Sequence, residues 1–229
     1  MPAIAPSPTD HGSGLPADFD GAAFPEWAFP PPAAHTAAYT AACRRGYAAM
    51  AASRVAITGL ARDIGRVLPT TIRRLARLAR CFADHRVIVY ENDSVDDTPR
   101  LLHDWAGADR RVLVVSERLG DPVNPKTRCL DRAGRMARYR GRCHELVLAA
   151  CGDFDAVVVV DLDVLGGWST DGLAHTFGQP DWDFVGANGL IYRRAGLRMN
   201  AARQYDTWAL RFDESLTPLT PAVAGGFLP

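Results

Sequence analysis

Lysine is nearly missing from this sequence: Lys126 is the only one, and every other member of its 26 Lys and Arg residues is arginine. That bias, beside abundant alanine, reads as the codon usage of a GC-rich bacterial genome and not as chemistry. Net charge is lacking too, since 26 acidic residues balance the basic ones. This removes the general electrostatic case for a nucleic-acid or anionic-membrane partner. No run of about 18 apolar residues occurs, so no transmembrane segment is expected. The start, Met1-Pro2-Ala3-Ile4, has no basic stretch with an apolar one behind it, so no secretory signal is expected either. Cysteine is scarce: Cys43, Cys81, Cys129, Cys143 and Cys151 contain no C-x-x-C pair. Their odd number fits reduced thiols in a cytoplasmic protein better than a disulfide framework.

What is present is an ordinary globular composition, 48% hydrophobic and 23% charged over 229 residues, enough for one substantial core. Residues 1–53 read as an irregular Pro-, Gly- and Ala-rich segment followed by an alanine-rich packing helix over 33–52. In that helix Tyr39, Cys43, Tyr47 and Met50 recur near helical spacing. From residue 54 to 229 a second unit begins, in which strand and helix signals alternate. Strands are expected at 55–60, 86–90, 112–115 and 156–160. Leu68, Ile72, Leu75, Ala79 and Phe82 mark one helix, Thr98-Pro99 starts another with Thr98 as its cap, and an Arg-rich helix spans 126–148. Such alternation predicts an α/β fold with a mainly parallel sheet flanked by helices.

Three places carry candidate chemistry. Asp161-Leu162-Asp163 follows the apolar run 156–160, and two carboxylates one residue apart point the same way if the strand persists, converging on one cation that would bind a phosphate ligand. The plain alternative is a solvated strand end. The loop Glu91-Asn92-Asp93-Ser94-Val95-Asp96-Asp97-Thr98 closes on a helix start, where free amides and short polar side chains can hold a ligand. It is not an EF-hand, because Asp97 stands where glycine is required and His103 where the bidentate Glu should be. An ordinary capped turn is the alternative. Finally, Arg128, Arg132 and Arg135 fall at i, i+4 and i+7, with Arg138 and Arg142 extending the stripe. That face can meet a diphosphate, or simply be solvated and paired with Asp131 and Glu145. Further on, Trp182 with Asp183 offers the aromatic and carboxylate partners that sugars use, although single tryptophans are more often core.

Taken together, the 91–98 loop, the basic stretch Met136-Ala137-Arg138-Tyr139-Arg140, the Asp161-Leu162-Asp163 strand end and Tyr205-Asp206-Thr207-Trp208-Ala209-Leu210-Arg211 resemble the nucleotide-sugar glycosyltransferases of the GT-A fold. The resemblance is greatest to fungal capsule-associated α-1,3-mannosyltransferases and their bacterial relatives, and it covers residues 54–229. It implies a Rossmann-like GT-A domain, a UDP- or GDP-sugar donor, a glycan or small-molecule acceptor, and Mn2+ or Mg2+ held by Asp161 and Asp163. It further implies nucleotide contacts from Glu91, Asn92, Asp93 and Asp96. Arg128, Arg135, Arg140, Asp161 and Trp182 are the other substrate-binding candidates. An inverting transfer would also need an acceptor-side base, for which Asp183 and Asp206 are the candidates. Two departures stand out: Gly141 follows Arg140 where the family has asparagine, and the chain ends at Pro229, just past Gly225-Gly226, where relatives continue. The expectation from the latter is a truncated domain that binds donor better than it transfers sugar. A haloacid-dehalogenase-like phosphatase also begins at an Asp-x-Asp strand end, but needs a downstream lysine, and Lys126 lies upstream. A nucleotidyltransferase would need a glycine-rich phosphate loop near 55–66, which is not there.

Overall fold

Four apolar stretches form the central sheet: β1 (Arg54–Ala61), β2 (Asp84–Asn92), β3 (Val112–Glu117) and β4 (Ala156–Val159). The computed structural model describes residues 23–123 and 129–187, with the strand residues 189–191, 194–195, 198–199 and 203–205. The sheet order is β3-β2-β1-β4 and every pair is parallel. Parallel neighbours need long crossovers, which α2 (Leu68–Ala79), α3 (Thr98–Ala108) and α4 (Leu130–Cys151) supply in turn. The result is a Rossmann-like α/β fold, as the alternation predicts. From β1 the chain steps outward to β3, then returns through α4 to set β4 on the other side of β1. The strand order therefore reverses between β1 and β4, and the crevice beyond their carboxyl ends is where open α/β sheets take ligands. Past β4, short antiparallel pairs join β5 (Gly189–Ile191) to β8 (Arg203–Tyr205) and β6 (Arg194–Ala195) to β7 (Arg198–Met199).

The two faces of the sheet carry separate cores. Val55, Ile57, Val87 and Val89 pack with Leu68, Leu75 and Leu102 from α2 and α3, and with Met50 of α1 (Thr36–Ala52). On the opposite face Ala56 and Ile88 meet Val147 and Cys151 of α4. The register puts Val157 beside Ala56 and Val159 beside Thr58. These two valines share the α4 face yet are 51% and 65% exposed, because α4 lies against β1 and β2.

Helix α1 belongs to the same core through α5 (Thr170–Phe177). The two helices touch backbone to backbone: a Cβ at Gly46 would lie 1.6 Å from Ala174 O, and one at Gly178 would lie 2.0 Å from Ala42 O. Both ends of α5 are tied down. Arg45 donates to Gly178 O from Nε (3.2 Å) and Nη2 (3.1 Å), and Tyr47 OH donates to Asp171 Oδ1 (2.6 Å). At the helix start Ser169 Oγ accepts from Gly172 N (2.7 Å), while Glu26 accepts from Ser169 Oγ (2.8 Å) and Asp171 N (3.2 Å). Burial pushes the Glu26 carboxyl above its usual value in spite of these hydrogen bonds.

Several details differ from the sequence reading. Thr98 is the first residue of α3 and not its cap; the cap position is Asp97, and the buried Thr98 hydroxyl accepts from Ile64 N (2.8 Å) instead. A 3-10 turn (Ala33–His35) precedes α1. Helix α4 starts at Leu130 and runs to Cys151 because Cys151, one turn past Val147, still faces the sheet; Lys126 lies outside the described residues.

Replacing Gly46 by alanine should separate α1 from α5. The atoms in the way are backbone, which cannot rotate aside, so the expected loss is at the upper end of overpacking costs, about 3 kcal/mol. Urea unfolding monitored by circular dichroism measures it, and an unchanged midpoint would show the two helices farther apart than described.

Candidate functional site

The end of β4 is built around Leu162. Its side chain, 1% exposed, lies over Gly59; a Cβ there would come within 2.8 Å of Leu162 Cγ and 2.6 Å of Val160 O. The Leu162 carbonyl accepts from Thr71 Oγ1 (2.8 Å), and Arg74 of α2 donates from Nη1 to Val164 O (2.8 Å) and from Nη2 to Leu165 O. Helix α2 thus grips the loop by its backbone. Asp161 and Asp163, on either side of Leu162, are exposed. The strand itself stops at Val159, one step earlier than expected, yet the out-in-out alternation continues through 161–163. Across the crevice, Arg140 of α4 approaches Asp161 at 3.6 Å. At this exposure such a pair contributes only about 0–1 kcal/mol to stability; its interest is position.

The loop after β2 is stapled to the loop after β1. Asp63 N donates to Ser94 Oγ (3.0 Å), Val95 N to Asp63 Oδ1 (2.8 Å), and Gly65 N to Asp96 Oδ2 (2.8 Å). Asp96 Oδ1 also accepts from Thr98 N (2.9 Å). Beneath the loop Glu91 is 1% exposed; Oε1 accepts from Ser94 N (2.9 Å) and Oε2 from Ser116 Oγ. Asn92 is buried as well and donates to Asp93 Oδ2 (2.9 Å).

Asp93 has left-handed backbone, φ 55°, a conformation that Asp tolerates better than most residues. Its carboxylate receives three successive amides of the loop after β3: Leu119 N and Gly120 N on Oδ1 (both 2.9 Å) and Asp121 N on Oδ2 (3.1 Å). Partial burial alone would raise the Asp93 carboxyl, but the bonds from Asn92, Gly120, Asp121 and Leu119 outweigh it and hold the group below its usual range. Asp96 behaves alike: burial raises it, and the bonds from Thr98 and Gly65 bring it down.

The structure therefore gathers Glu91, Asn92, Asp93 and Asp96 at one end of the crevice, with Asp161, Asp163 and Arg140 at the strand-order reversal. Arg135 is half-buried five residues before Arg140 on α4, about 1.4 turns away. Trp182 and Asp183 leave from the far end of α5, about 12 Å along that helix from the end that faces the Asp163 loop. The Trp182 ring meets Phe177 edge-on at 5.4 Å, and Asp183 is exposed. Arg128 and Asp206 lie outside the described residues. Sequence reasoning passed over Asp63, Thr71 and Arg74, although an arginine in phase with the buried stripe Leu68, Thr71, Leu75, Leu78 is a signal that its guanidinium has a buried task.

Among the described residues no group of three or more His, Cys, Asp or Glu side chains is gathered to hold a metal. Two exposed carboxylates, all-oxygen donors, nevertheless fit Mg2+ or Mn2+ of the kind whose shell substrate phosphates and water complete.

No protein-family model and no curated protein matches this chain. Among solved structures it is similar to the mannosyltransferase PcManGT from Pyrobaculum calidifontis in complex with GDP-Man and Mn2+, at 15% identity and a TM-score of 0.36. The match covers 63% of this chain and 41% of that one, so the chain spans less than half the length of that enzyme. A likeness of this degree assigns no residue a role.

Asp93→Ala should strip three loop amides of their acceptor and lower stability by about 1–3 kcal/mol. Asn keeps one acceptor oxygen and tolerates the left-handed backbone, so Asp93→Asn should lose less. Urea midpoints rank the three proteins, and trypsin cleavage after Arg118 should quicken in the same order. Equal cleavage rates would mean that Asp93 does not hold the loop.

A pH dependence follows from the same bonds. Asp93 and Asp96 titrate lower in the folded chain than in an unfolded one, so their contribution is complete above the unfolded aspartate value of about 3.9 and is lost as the pH falls through the lower folded values. The urea midpoint should drop between about pH 4 and pH 2. Glu26, raised by burial, is protonated in both states over most of that window. The drop should shrink in Asp93→Asn, and an undiminished drop would exclude Asp93 as a source.

Proposed function

We propose that this chain is a GT-A-type glycosyltransferase domain that binds a nucleotide-diphosphate-sugar donor, a UDP- or GDP-sugar, and transfers the sugar, a hexose such as mannose, to a glycan or small-molecule acceptor. The observation that carries this reading is the exposed pair Asp161 and Asp163, fixed by Leu162 at the point where strand order reverses, with Arg140 opposite. Hard carboxylate oxygens beside an arginine suit a diphosphate and its divalent counter-ion.

In this reading Asp163 is the first metal ligand, with Asp161 turned toward metal or ribose. Mn2+ or Mg2+ there would supply charge neutralisation on the leaving nucleoside diphosphate. Arg140 and Arg135 would meet phosphate oxygens from the α4 side, Arg140 exchanging its Asp161 partner for one of them, with Arg128 adding to that stripe. The 91–96 loop would bound the nucleoside, its shape fixed by the staples to the β1 loop. Trp182 would serve the sugar or acceptor, and Asp183 or Asp206 would take the acceptor proton if the transfer inverts the anomeric centre.

Calorimetric titration of UDP and GDP with Mn2+ or in EDTA tests the reading. Binding should require the cation, and Asp163→Asn should weaken it at least about tenfold, since even loss of an outer-shell partner commonly costs that much. Binding of equal strength in EDTA, undisturbed by the substitution, would remove the metal from the proposal.

A further inference from the structure

Asp121 bonds through its amide, its carbonyl and its carboxylate. Its amide donates to Asp93 Oδ2 (3.1 Å) and its carbonyl accepts from Arg62 Nη2 (2.8 Å). Its carboxylate accepts from Tyr139 OH (2.7 Å) and from Arg138 Nη2. Arg62 Nη1 holds the next carbonyl, Pro122 O, at 3.1 Å. One residue thus joins the end of β1 (Arg62), the end of β2 (Asp93) and the middle of α4 (Arg138, Tyr139).

The α4 side of this junction lies next to the candidate site. Tyr139 is 3% exposed, and its ring lies 6.1 Å from that of Tyr90 on β2, whose hydroxyl donates to Glu117 Oε2 (2.8 Å). Arg140, the next residue, is the cation that faces Asp161. A buried ring with its hydroxyl anchored fixes both the rotation of α4 about its axis and its position along that axis. A helix turns about 100° per residue, so fixing Tyr139 fixes where Arg140 points. The hydrogen bond from Tyr139, and then Arg138, also keeps the Asp121 carboxyl below its usual range, so the junction holds its charge across neutral pH.

We infer that Asp121 and Tyr139 are positioning residues that aim Arg140 into the diphosphate site. They touch neither donor nor acceptor; their effect passes through the orientation of α4. The inference rests on the donor-binding reading above and adds to it a mechanism by which the cationic face is held.

The test is a double-mutant cycle on nucleotide affinity. UDP and GDP, with Mn2+, are titrated into the wild-type chain, Tyr139→Phe, Arg140→Gln and the double variant, with urea midpoints measured on each. Tyr139→Phe deletes one hydroxyl and keeps the buried ring, so it should fold. It should lower affinity about three- to tenfold in the wild-type background and by less than twofold when Arg140 is already Gln, the non-additivity expected when one residue acts through another. Asp121→Asn, which weakens the acceptor of the same bond, should reproduce the pattern. Losses that multiply in the double variant, or a Tyr139→Phe protein that is destabilised yet binds as tightly as the wild type, would reduce the junction to a structural contact and overturn the inference alone. A wild-type chain that binds neither nucleotide would overturn the donor-binding reading and this inference with it.

Discussion

Backbone amides in the loops at the carboxyl edge of a parallel sheet have no strand partner, and in this chain short polar side chains supply the missing acceptors. Ser94 and Thr98 take the amides of Asp63 and Ile64, Asp63 takes that of Val95, Asp96 takes that of Gly65, and Asp93 takes three in succession from the loop after β3. Partly buried amides left without acceptors each cost on the order of 1–3 kcal/mol. These loops therefore keep a single shape only because the side chains are oriented as they are. The crevice at the end of β1 and β4 inherits its form from this arrangement, as does the placement of α4.

The elements were legible where the physics is local. Apolar runs, helical periodicity and the Thr98-Pro99 start located four strands and the helices between them, and alternation implied parallel pairing. The strand order β3-β2-β1-β4 was not legible, because it depends on which side of β1 the returning chain packs. At the site, the Asp161-Leu162-Asp163 step was readable since a buried leucine between two aspartates leaves them outside. The 91–98 loop was readable as polar and capped, but the partners that tie it to other loops lie 26 to 31 residues away in sequence: Asp96 meets Gly65, Ser94 meets Asp63, and Asp93 meets 119–121. No spacing rule reaches that far. Arg74 and Tyr139 were passed over for the same reason, each being a polar group whose task is set by a carbonyl or carboxylate brought near only by the fold.

Helix α2 touches both halves of the site. Through Thr71 and Arg74 it holds the backbone of residues 162–165, and through the turn that leads into it, Ile64 and Gly65, it is bonded to Thr98 and Asp96. The core beneath it, Leu68, Leu75 and Leu78, is buried, so the helix moves as a body or not at all. The carboxylate pair and the polar loop therefore lean on one support, and a displacement of α2 would disturb both.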